Sequence, residues 1–175
     1  MVVVCEVGFW VLLAAGLALR YLAKMPRAGL AVLLCEPLLE LTLLVLTAIE
    51  LRGGAESSWQ HGLAAVYIGF TVAYGHYMIR WADARFAHRF AGGPKPVGPP
   101  KYGRERARHE WMLTVRTGLA ALVSVVLLQA AVWWVGDPGR TATLVGWQAR
   151  MLWVTGIYAA IAASYTLWPK KEPAR

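Results

Sequence analysis

AGLAVLLCEPLLELTLLVLTAIEL, residues 28–51, decides the fold. The run exceeds the roughly 20 apolar residues that cross the hydrocarbon of a bilayer. It holds no Lys or Arg, and its acids are Glu36, Glu40 and Glu50. Glu50 lies close enough to the end to hydrate. Glu36 and Glu40 do not, and an ionisable group in hydrocarbon costs from about 2.5 to well over 10 kcal/mol. Residues four apart share a helix face, so the two carboxylates point the same way. Pro37 between them removes a backbone donor and predicts a kink, and the freed carbonyl is available to a cavity or to coordination.

The rest of the chain supports a membrane setting. Of its 175 residues, 58% are hydrophobic and 16% charged, against about 25% charged in a soluble domain. Mean hydropathy is +0.45. The chain reads as a single transmembrane domain, 1–175, an all-α bundle of five spans at about 2–23, 28–51, 61–79, 111–135 and 144–167. The N-terminal stretch lacks the basic region and cleavage site of a signal peptide and reads as a retained first span. Arginine outnumbers lysine, alanine and glycine abound, and asparagine is absent, a bias that points to a GC-rich bacterial genome.

The formal charge of +8 is concentrated in connectors. Arg20, Lys24 and Arg27 flank the first connector. Arg80, Arg85, Arg89, Lys95, Lys101, Arg104, Arg106 and Arg108 fill the loop 80–110, and Lys170, Lys171 and Arg175 end the chain. The opposite connectors, RGGAESSWQ (52–60) and GDPGRTAT (136–143), offer Arg52 and Arg140. Cytoplasmic loops carry the excess of basic residues, which predicts an N-out/C-in arrangement in the cytoplasmic membrane. Only an odd number of spans puts all the basic connectors on one side. Trp59, Trp81, Trp111, Trp133, Trp134, Trp147 and Trp168 fall near span ends, where interfacial tryptophans anchor.

At about 1.5 Å per residue, Glu40 lies near the midplane, with Glu36 roughly 5 Å to its cytoplasmic side. On the same scale Tyr74, His76 and Arg116 of neighbouring spans fall in the cytoplasmic half, so Glu36, Glu40, Tyr74, His76 and Arg116 form the candidate binding cluster. Two close carboxylates cannot both ionise cheaply, which suits the pair to relaying a proton, holding a cation or binding a small solute. Glu36, Glu40 and His76 are also potential metal ligands, although their spacing is not diagnostic of a metal site. The alternative is helix-to-helix glue, with Glu36 paired to Arg116 or bonded to Tyr74. On the outer side Glu6 and Arg150 share a depth and are expected to form a structural ion pair.

In the loop, RWADARFAHRF (80–90) predicts a helix that continues span three near the headgroups, with Arg85 and Arg89 contacting anionic lipid. AGGPKPVGPP (91–100) breaks it, and KYGRERARHEW (101–111) restarts a helix into span four. The basic charge signals topology and the bilayer surface; no element points to nucleic acid. Cys5 and Cys35 are expected as packing residues.

No P-loop, nucleophile elbow, zinc-protease or dinucleotide motif is present, so no cofactor is indicated and catalysis finds no support. A haem would want paired histidines inside the spans, and His109 sits among arginines beside water. In size, span count and tryptophan content the chain resembles in outline the tryptophan-rich TspO translocator family, but its spans lack that family's Trp-Pro and Asn-containing motifs, and no function is carried over. Three roles remain open. One is a small membrane protein that binds or conducts a proton, cation or small solute. The others are an accessory subunit of a membrane complex, and an intramembrane enzyme acting on a lipid or quinone-like substrate. Five spans make a thin bundle, which favours a homo-oligomer or a larger complex.

Overall fold

The computed structural model describes residues 2–55, 58–90 and 92–169, and omits the side chains of 2–6, 9, 10, 60, 61 and 90. The described secondary structure is helical throughout: α1 (Val2–Tyr21), α2 (Pro26–Arg52), α3 (Trp59–Phe90), α4 (Gly103–Val135) and α5 (Pro138–Leu167). Three described stretches, Pro26–Arg52, Gly62–Arg89 and Gly103–Val135, are long and apolar enough to cross a membrane. The described part of α1 contributes a shorter apolar stretch, Val11–Tyr21. α5 carries Arg140, Gln148 and Arg150 in its first half.

Local chemistry sets the ends of these helices. Pro26 opens α2 and Pro138 opens α5 at the first helical position, where a missing N–H costs nothing. α4 ends at Gly136, whose φ of 70° suits glycine and whose N–H reaches Val132 O at 3.0 Å. Asp137 then caps α5, its Oδ1 accepting from the N–H groups of Gly139 (2.9 Å) and Arg140 (3.4 Å). α1 turns into α2 through Lys24, a lysine at φ 55°, with Met25 N–H bonded to Leu19 O at 2.9 Å. α3 is unbroken to Phe90, and α4 begins at Gly103 after the proline-rich stretch. At 1.5 Å per residue α3 and α4 each approach about 50 Å, well beyond a hydrocarbon core of about 30 Å.

The long helices are inside-out. α4 buries Glu110, Thr114, Thr117, Ala120, Ser124 and Leu128, and exposes Val115, Leu119, Leu122 and Val126. α2 buries Glu40, Leu44, Thr47, Ala48 and Leu51, and exposes Leu34, Leu38, Leu41, Val45 and Ile49. Water would select the reverse pattern, because soluble proteins rarely leave large apolar stripes uncovered. Lipid selects this one.

The chain forms two compact units. The first comprises Met1–Ile68 with Val126–Val145, and the second Gly69–Val125 with Gly146–Arg175. In the first unit α1 packs along α2 at a glycine crossing. A Cβ on Gly16 would meet Leu33 Cδ2 at 2.7 Å, and one on Gly29 would meet Gly16 O at 2.7 Å. Such close approach is how small residues bring membrane helices together. Arg140 Nη1 reaches Leu51 O and Arg52 O, both at 3.4 Å, tying the start of α5 to the end of α2.

In the second unit α3 meets α4 at Gly69, which packs on Ala120 O and Ser124 Oγ. α5 joins α4 through Thr114 Oγ1 to Tyr158 O (3.0 Å) and Trp111 Nε1 to Thr166 Oγ1 (3.0 Å).

Candidate functional site

Glu36 and Glu40 belong to the first unit, on the buried stripe of α2. α1 runs antiparallel to α2 there, with Gly16 at the level of Gly29 and Leu33, and Gly8 beside Leu39 (3.6 Å). Glu36 lies between those two levels. Glu40 is 8% exposed. Glu36 is half-buried, and its Oε1 is a buried oxygen with no hydrogen-bond partner among the described residues. The helix runs unbroken through Pro37. Because proline has no N–H, the carbonyl of Leu33, one turn earlier, loses its helical donor. Carboxyl and carbonyl oxygens are the donor type that hard cations prefer.

Tyr74, His76 and Arg116 belong to the second unit. Tyr74 Oη pairs with Thr117 Oγ1 at 2.7 Å and donates to Leu113 O at 3.1 Å, and its ring stacks on Phe70 with centroids 5.6 Å apart. The Arg116 guanidinium lies over the Tyr77 ring, 4.4 Å from its centroid. His76 is exposed. Among the described residues no three His, Cys, Asp or Glu side chains gather to hold a metal ion.

The Glu6 side chain lies outside the described residues, and with it the expected pair to Arg150. The Arg150 guanidinium sits 5.2 Å from the Trp147 ring centroid. Arg85 stacks on Trp81 at 4.0 Å, and Arg85 and Arg89 are both exposed. Cys35 is a free, exposed thiol.

A buried acid outside the predicted cluster emerges at Glu110, 6% exposed and ion-paired to Arg106. Arg106 also donates to Pro100 O (3.3 Å) and lies over the Tyr165 ring at 5.0 Å. It thereby pins the proline-rich stretch and α5 to the start of α4. The signal was present in the sequence: Arg106 and Glu110 are spaced i, i+4, and Glu110 leads the row Thr114, Thr117, Ser124.

These inside-out helices, with Glu40 and Glu110 buried, define an all-helical integral membrane protein. The uncharacterized membrane protein YmcC of Bacillus subtilis (strain 168) is 40% identical over 175 residues, covering 99% of this chain and 94% of that protein. The chain belongs to the family of that membrane protein. No family profile and no solved structure matches it.

Proposed function

We propose that the protein crosses the bacterial cytoplasmic membrane five times, N-out and C-in, and that Glu36 and Glu40 bind a proton or cation within it and pass it across. The observation that carries this reading is the buried Oε1 of Glu36, without a hydrogen-bond partner among the described residues and one turn from the nearly inaccessible Glu40. An unsatisfied polar group in hydrocarbon costs several kcal/mol, of order 2–7, which favours a bound partner at this oxygen. A proton removes the charge, and a bound cation supplies the missing partner. Five helices enclose little space, so the working unit is an oligomer.

The test is flux into proteoliposomes loaded in turn with dyes selective for H⁺, Na⁺, K⁺ and Mg²⁺, each driven by a gradient of the ion its dye reports. The wild type is expected to dissipate at least one gradient, and the double variant E36Q/E40Q to lose that flux. No wild-type flux above protein-free vesicles, or flux that survives the double substitution, overturns the proposal. Stable co-purification with a larger membrane protein, in place of flux, points to an accessory subunit.

A further inference from the structure

The first unit carries an apolar groove of about 340 Å³ between α2 and the end of α4. Leu41, Val45, Ile49, Leu127, Ala130 and Trp134 are among its lining residues, and the lining contains no charged side chain. At its mouth the Arg52 guanidinium stands over the Trp134 ring, 5.1 Å from the centroid. The neighbouring Arg140 is already engaged, with Nε 3.2 Å from Asp137 Oδ2 and Nη1 on the carbonyls of Leu51 and Arg52. The exposed Arg52 is therefore the cation placed to meet an anion at this mouth.

We infer that this groove seats one acyl chain of an anionic phospholipid, whose phosphate meets Arg52. Length, polarity and charge each favour this occupant. From Leu41 to Ile49 the groove follows α2 for about 12 Å, and Arg52 stands about 4.5 Å further along. Together these match one leaflet of hydrocarbon, half of about 30 Å, with a headgroup above it. The all-apolar lining suits methylenes and excludes a polar solute. The Trp134 indole marks the interfacial level, where such rings sit beside headgroups.

The full-length protein in a nonionic detergent is titrated with phosphatidylglycerol and with phosphatidylcholine, and retained lipid is counted by native mass spectrometry. The wild type is expected to hold one phosphatidylglycerol per chain, with a preference over phosphatidylcholine of about fivefold, the contribution of one basic residue at a membrane surface. R52Q should retain both lipids and lose the preference. A130F and V45F, each filling the groove from an exposed position, should lose both lipids while remaining helical and monodisperse. Wild-type retention in both folded groove variants overturns the inference, as does an undiminished preference in R52Q. Displacement of the lipid by excess inorganic phosphate also overturns it, because the site would then bind an anion and not an acyl chain. R52Q lies at the exposed rim, so it remains informative even where a groove variant fails to fold.

Discussion

Gly29 and Gly16 oppose each other across the α1–α2 crossing, and the obstruction is unequal. A Cβ on Gly29 meets backbone, Gly16 O at 2.7 Å and Arg20 N at 2.9 Å, whereas one on Gly16 meets first the flexible Leu33 side chain. Gly29→Ala should therefore destabilise the protein by about 1–3 kcal/mol, the usual cost of overpacking, and Gly16→Ala by clearly less. Leu33→Ala should rescue Gly16→Ala and leave Gly29→Ala unimproved. Thermal unfolding in detergent, followed by circular dichroism, reads all four variants.

Arg106 and Glu110 predict a different asymmetry. Removing one partner of a buried pair leaves the other charge uncompensated, at a cost of about 3–5 kcal/mol, while removing both is far milder. Glu110 is the more buried member. Arg106→Gln, which strands the carboxylate, should thus lower the melting temperature more than Glu110→Gln. R106Q/E110Q should recover much of the loss. A double variant as unstable as the sum of the singles would show that the two groups do not act as a pair.

Lys24 adopts a left-handed backbone conformation, φ 55°, which costs an L-residue roughly 1–2 kcal/mol relative to glycine. Lys24→Gly should stabilise the protein by about 1 kcal/mol, partly offset by the greater freedom of glycine in the unfolded chain. Lys24→Gln removes the same charge without relieving the backbone and should show no gain. Equal melting temperatures for the two variants would rule out backbone relief as the source.

Single cysteines introduced at Ala55 and Lys95 test the orientation in a background lacking Cys5 and Cys35. Under the N-out/C-in arrangement, a membrane-impermeant maleimide added to intact cells should label position 55 and spare position 95 until the membrane is permeabilised. The reverse pattern inverts the topology.

Most of the architecture was legible because bilayer thickness and helix geometry are strong constraints. The run 28–51 became Pro26–Arg52, and the stretch 80–90 continues α3 to Phe90 as expected. AGGPKPVGPP breaks the chain before Gly103. Side-chain partnerships were less legible, because depth alone does not fix rotation about a helix axis. Within the second unit the partners of Tyr74 and Arg116 are Thr117, Leu113 O and the Tyr77 ring, none of which depth alone singles out. Glu110 sits one residue before the apolar run at 111–135 and among arginines, so hydropathy alone does not mark it as buried.

Thr114, Thr117 and Ser124 each return a hydroxyl to the carbonyl four residues earlier, on Glu110, Leu113 and Ala120. Through this stretch α4 carries its own satisfaction, so its hydroxyls meet lipid without debt before any neighbour arrives. α2 is the opposite case, because the oxygen of Glu36 is met by nothing in its own helix. The three hydroxyls of α4 thus need no neighbouring helix, whereas the Glu36 oxygen finds its partner only outside α2.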